Sequence, residues 1–257
     1  MRERNTIFLR IATICLFAIV FIFFFNGYKD EGPSRKKFRK LPGGTEDLVA
    51  EDAKPKPPPI DYLKGIKGNK RAQEWAKWWN SCVPKFTLGS LELVGDSELS
   101  NDPVDTKLVE ESMSGPGRMF YSGSPGGRYE INPYWERLSY KKEAEGWQPY
   151  IETPCGALIY EPKAHKARVV LDCTMNEGLD DAIWLGKDSV AVMGYGSVTR
   201  QMNVECESVE SCATPEIWVI DLASGWLHEY RGELIAHGAC KVGGYLPQRL
   251  PRFFGKQ

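Results

Sequence analysis

GALIYEPKAHKARVVLD, residues 156–172, decides the fold class. It reads as two short strands around a turn near Pro162–Lys166. With the turn centred on Ala164, Leu158 faces Val170 and Tyr160 faces Arg168. The residues just outside the stretch are Cys155 and Cys173, which then lie opposite each other. Cross-strand neighbours sit about 4.5–5.5 Å apart, within the Cα reach of a disulfide. A bridge across the base of a hairpin is therefore expected at Cys155–Cys173.

Working outward, the pattern repeats loosely. The first unit runs GRYEI, a long insert, then ALIYEPKAHKARVVL; the second runs DSVAVMGYG, a long insert, then EIWVIDLASGWLHEY. Ile220-Asp221-Leu222 corresponds to Tyr160-Glu161-Pro162, an acidic residue closing a strand before a turn. In Asp188–Tyr195 the alternation places Val190 and Val192 on one face. The expected fold is mainly β: antiparallel sheets from two blade-like β-meander units, arranged as a sandwich or propeller-like. A closed propeller needs at least about four blades, and two are visible. IWVIDLASGWLHEY resembles the outer hairpin of a β-propeller blade, where an acidic residue ends one strand and Ser-Gly makes the turn. That resemblance covers only residues 120–232.

Other elements are legible around this region. RAQEWAKWWNSC carries Trp75, Trp78 and Trp79 at helical spacing, which predicts a short N-terminal helix with an aromatic core face. KFTLGSLELVGD suggests a strand broken near Gly89-Ser90, and Thr106–Met113 a short helix. The C-terminal LPQRLPRFFGKQ reads as an irregular tail packing Phe253 and Phe254. Gly194-Tyr195-Gly196 reads as a strand end, and Asp180-Asp181 as turn chemistry.

Before the β-rich domain at 71–257 come a tail at 1–6, an apolar run at 7–25 and a linker at 26–70. Ile7–Phe25, IFLRIATICLFAIVFIFFF, holds one charge, Arg10. A helix of that length rises about 28 Å, enough to cross a hydrocarbon core of roughly 30 Å. The next residues, Asn26-Gly27-Tyr28, offer no small-x-small cleavage site, so an uncleaved signal-anchor is expected. The linker contains SRKKFRK and then EDAKPKPPPI, an extended, semi-rigid stem. This layout resembles that of bacterial envelope proteins with an inner-membrane anchor and a Pro/Lys spacer.

Topology divides two signals. Arg2 and Arg4 precede the run, and Lys29, Arg35, Lys36, Lys37, Arg39 and Lys40 come after it, which by the positive-inside rule places the C-terminal part in the cytoplasm. Cysteine usage argues the reverse. Six cysteines lie outside the apolar run: Cys82, Cys155, Cys173, Cys206, Cys212 and Cys240. An even count with a hairpin-symmetric pair reads as a disulfide framework: 155–173, a local 206–212 loop, and 82–240 tying the start of the domain to its end. The expected location is thus a single-pass inner or plasma membrane, with the domain extracytoplasmic, in the periplasm.

No chemistry announces itself. Ser34-x-x-Lys37 and Ser139-x-x-Lys142 lack the companion motifs of serine acyltransferases. No C-x-x-C, G-x-S-x-G or phosphate-binding loop occurs, and His165, His228 and His237 show no ligand spacing. No cofactor and no metal are implied. With a net charge of −1, nothing draws the chain to nucleic acid. The insert NPYWERLSYKKEAEGWQPY, 132–150, interleaves aromatics with charges, and Tyr134, Trp135, Trp147 and Tyr150 are its candidate binding residues. Aromatics so placed also cover sheet edges. The function read from this is a membrane-anchored binding or scaffold module for an envelope protein or glycan, not an enzyme. Two alternatives stand beside it: an envelope hydrolase with an acidic site at Asp180, Asp181 or Glu161, and a reduced adaptor facing the cytoplasm.

Overall fold

The computed structural model of the chain describes residues 61–82, 85–144, 146–152, 155–173, 177–197, 212–232, 235–236 and 244–254. The apolar run at 7–25, Cys206 and Cys240 lie outside them, as does the side chain of Cys212. Among the described residues no helix is long and apolar enough to cross a membrane.

The architecture is mainly β, and every strand pairing among the described residues is antiparallel. The first sheet runs β1 (Glu92–Glu98), β12 (Trp226–Arg231), β11 (Cys212–Asp221), β10 (Ser189–Ser197), β9 (Gly178–Trp184), with β13 (Ile235–Ala236) beside β11. The second runs β2 (Asp102–Val104), β8 (Lys166–Cys173), β7 (Cys155–Glu161), β4 (Glu130–Trp135), β3 (Ser122–Gly123). A separate hairpin pairs β5 (Leu138–Glu143) with β6 (Gly146–Ile151). The stretches read as the two units fall on β4, β7 and β8 of one sheet and on β10, β11 and β12 of the other. Asp221 ends β11 as Glu161 ends β7. Asp221 accepts hydrogen bonds from the backbone of Ala223 (3.0 Å) and Ser224 (3.3 Å), which shapes the turn into β12.

The β7–β8 hairpin closes as expected at its base. Cys155 pairs with Cys173 in the ladder, their Cα atoms are 5.3 Å apart, and they form a disulfide. Nearer the turn the register differs. Leu158 faces Val169 and Tyr160 faces Ala167, because an irregularity between Ala157 and Leu158 absorbs one residue. Such a bulge leaves no trace in hydrophobic alternation when both neighbours are apolar. Cys82 is also disulfide-bonded.

Alternation along β10 feeds two different clusters. Val190 and Val192 join Ile131, Ala157 and Ile159 of the second sheet in a cluster shared by both sheets. Ala191 and Met193 pack instead with the helices α1 (Tyr62–Gly68) and α2 (Lys70–Cys82). Trp75 and Trp79 on α2 are fully buried there, as the helical spacing predicts, and Trp78 is half-buried. Truncating either buried ring removes about 3–5 kcal/mol of stability. The folded part starts earlier than expected, because α1 lies within the stretch read as linker and buries Tyr62 and Ile66. Asn69 caps α2 by accepting from the Arg71 amide at 2.9 Å.

A third cluster covers the remaining face of the second sheet. It joins Leu158 and Tyr160 to Val109 of α3 (Thr106–Ser112) and to Leu246, Leu250 and Phe253. The last three lie on α4 (Tyr245–Arg249), just after it, and on α5 (Pro251–Phe254). The C-terminal segment is therefore helical rather than irregular. Its prolines mark helix starts and an inter-helix break, and Pro is tolerated at a first helical turn. Asp180-Asp181 is likewise not a turn: both residues lie inside β9, each 1% exposed.

Candidate functional site

The Asp180–Asp181 pair is built by a break in the β9–β10 ladder. Asp181 faces Met193, but the next pair is Leu179 with Gly194, so Asp180 is the extra residue of a bulge. Regular alternation would send consecutive side chains to opposite faces. Here Leu179 and Ala182 both join the cluster shared by the two sheets, and the two carboxylates between them both turn to α2. Gly194 permits this, since a methyl group there would overlap the Gly178 carbonyl oxygen. Alternation breaks here because the strand is irregular at that point.

One turn apart on α2, Arg71 and Trp75 each address one carboxylate. Trp75 Nε1 donates to Asp180 Oδ2 at 3.0 Å. Arg71 donates to Asp181 through Nε (3.0 Å to Oδ2) and through Nη2 to Oδ1. Arg249 of α4 donates its Nε to Asp181 Oδ2 at 2.9 Å, and the Ala182 amide donates to Oδ1 at 2.9 Å. One buried carboxylate thus ties together a helix, a strand and the C-terminal segment. Tyr134 donates to the backbone oxygen of Asp180 (2.9 Å), and Arg137 Nη1 to that of Leu179 (3.2 Å).

Burial pushes Asp180 up to about 7, against the lowering pull of Trp75 and Arg137. Trp79 adds a smaller lowering pull, although its Nε1 makes no hydrogen bond among the described residues. Burial likewise raises Tyr134 well above the ordinary phenol range. On β11, burial raises Glu216 to about 7, even though Arg231 Nε lies 2.8 Å away. Desolvation exceeds the attraction of that half-exposed partner.

A cavity of about 310 Å³ opens beside Asp181, lined among others by Arg71, Arg249, Arg252, Phe120 and Tyr134. Asp180 is not among its lining residues. Glu161, the third acid of the hydrolase reading, pairs with Arg128 (2.8 Å) and lines a separate cleft with His165 and Arg168. The three acids named by that reading are therefore not brought together. Among the described residues no group of three or more His, Cys, Asp or Glu is gathered to hold a metal ion.

The four aromatic candidates separate. Tyr134 is buried, with its hydroxyl engaged as described. Trp135 is half-buried at the end of β4. Trp147 and Tyr150 lie on β6, which pairs with β5 alone among the described strands. Trp147, Pro149 and Ile151 occupy alternate, exposed positions of β6, with Trp147 39% and Ile151 61% exposed. They stand across from Lys142, Tyr140 and Leu138. Tyr140 stacks on Phe120 (centroids 5.7 Å), and Leu138 is buried, so β5 is fastened to the body, while on β6 the Trp147 ring rests against Gly115, where a side chain would collide with it. Lys141 Nζ sits 4.4 Å from the centroid of the Tyr150 ring. Met119, 37% exposed, accepts from the Tyr140 hydroxyl at 3.7 Å.

Arg71, Arg137 and Arg249 carry no signal of their own in the sequence. Arg71 and Trp75 share a helix face in RAQEW, which marks the helix but not the carboxylates it meets. Arg249 offers less still, because its segment reads as a tail. No family model matches the chain, and no curated protein or solved structure is significantly similar to it.

Proposed function

We propose that the chain is a membrane-tethered, extracytoplasmic binding module that engages an envelope protein through the β5–β6 hairpin. The observation that carries this reading is the outer strand β6, which pairs only with β5 among the described strands and has Trp147, Pro149 and Ile151 exposed in one row. Exposed aromatic and aliphatic side chains on a projecting insert are typical anchors for a protein surface. The exposed aliphatic Ile151 favours a protein over a glycan, which stacks on rings. A strand with an unpaired edge also suits addition of a partner strand. In support of the compartment, the Cys155–Cys173 disulfide fits an oxidising environment. We read the two sheets as blade-like meanders packed face to face, with the hairpin as the insert of one blade. The anchor is the 7–25 segment, which bears the membrane contact.

The test is site-specific photo-crosslinking in cells from positions 147 and 151, with Lys163 on the far turn as control. The reading expects one protein adduct from the first two positions and none from the third. An equal adduct at 163, or none anywhere, rejects it. Quenching of tryptophan fluorescence by envelope glycan fragments, without any protein adduct, would assign the surface to a glycan instead.

A further inference from the structure

The cavity beside Asp181 has a charge excess that its own side chains leave uncompensated. Three guanidiniums, of Arg71, Arg249 and Arg252, line it with a single carboxylate, Asp181. Asp181 occupies Nε and Nη2 of Arg71 and Nε of Arg249. Nη1 of Arg71 and both Nη atoms of Arg249 have no hydrogen-bond acceptor among the described residues. Arg252 makes no ion pair among them either. The side chains of Arg71 and Arg249 are each 36% exposed, so both are fixed at the rim of a buried carboxylate and still reach solvent. Phe120 and Leu250 add an apolar wall.

We propose that this cavity binds a small oxyanion, a carboxylate or phosphate, carried on an apolar body. Guanidinium forks match the geometry of both anions and bind them through paired, charge-assisted hydrogen bonds. Asp181 holds two of the forks in place before any ligand arrives, which reduces the ordering entropy that binding would otherwise lose. The volume suits a ligand of one ring or a short chain, at the lower end of small-molecule pockets. The low dielectric behind the rim, where Trp75, Trp79 and Tyr134 are buried, strengthens the attraction relative to a surface cluster. This site is independent of the β5–β6 hairpin reading, since no exposed residue of β6 lines it.

Isothermal titration of the full chain in detergent micelles tests it, with benzoate, phenyl phosphate, inorganic phosphate and neutral benzamide as probes. The expected result is saturable binding of at least one aromatic anion, about tenfold or more tighter than inorganic phosphate, and none of benzamide. The ratio of benzoate to phenyl phosphate affinity tells which oxyanion the forks prefer. Arg252→Gln, which breaks no ion pair among the described residues, should weaken binding about fivefold or more while the melting temperature stays unchanged. Arg249→Lys, which keeps the charge and loses the fork, should weaken it as well. Three results overturn the proposal: no saturable binding of either aromatic anion, equal binding of benzamide, or affinities unaffected by both variants. Inorganic phosphate binding as tightly as phenyl phosphate would reject the apolar body.

Discussion

Replacing Asp180 by Asn should flatten the dependence of stability on pH. Asp180 is fully buried, and burial raises its carboxyl from 3.8 to about 7. Between those values the native chain keeps a proton that the unfolded chain has lost. Stability from this group is therefore complete below about pH 4, falls as pH rises, and levels off above about pH 7. Each unit corresponds to about 1.36 kcal/mol, so the loss between pH 5 and pH 8 is about 3 kcal/mol. Asn is neutral throughout and retains an oxygen to accept from Trp75 Nε1. The variant should thus gain about 3 kcal/mol relative to the parent as pH moves from 5 to 8, whatever its offset at pH 5. Glu216 is raised to about 7 as well and gives a slope of the same sign. It is present in both proteins and cancels in the difference, provided the two sites act independently. Urea unfolding monitored by tryptophan fluorescence at pH 5, 6, 7 and 8, at fixed ionic strength, measures the quantity. Parallel curves, whose separation changes by less than about 0.5 kcal/mol from pH 5 to pH 8, would show that Asp180 is not held neutral by burial.

Gly194→Ala should destabilise by about 3 kcal/mol or more and raise the exposure of Trp75, because the added carbon meets the backbone of β9; denaturant titration with acrylamide quenching reads both, and a change under about 1 kcal/mol would refute the role of the bulge. Opening the Cys155–Cys173 bridge by a double change to Ser should lower stability by about 3 kcal/mol for a sequence separation of 18 residues. Non-reducing peptide mapping of the native protein should recover that bridge, and finding both thiols free would place the domain in a reducing compartment. Arg249→Ala should lower stability by about 2–3 kcal/mol by leaving Asp181 with Arg71 and one amide, and hydrogen exchange should then rise in α4 before it rises in β9. Trp147→Ala, with the photo-crosslinker kept at position 151, should abolish the adduct while changing stability by less than about 1 kcal/mol.

Alternation and spacing carry most of the strand and helix assignments. The Trp75, Trp78 and Trp79 spacing specifies the inward face of α2, and Val190 and Val192 share a cluster as their period of two requires. The symmetric placement of Cys155 and Cys173 around a turn is enough to locate a disulfide. These features are local: each depends on residues a few positions apart on one element or one hairpin. Two of the ladder irregularities matter most, and neither is legible in this way. One shifts the β7–β8 register near its turn, and the other sets Asp180 and Asp181 side by side against α2.

What the sequence alone determined is an antiparallel β architecture with a stapled hairpin, an aromatic helix face and an aromatic insert. What only the tertiary structure decided is which polar groups meet. Asp181 collects Arg71 and Arg249 from segments 110 residues before and 68 residues after it. Their meeting depends on a backbone irregularity at Gly194 and on the helical form of the C-terminal segment. Neither is encoded in local periodicity, because a buried carboxylate is tolerated only where distant donors converge on it, and that convergence is a property of the packed chain.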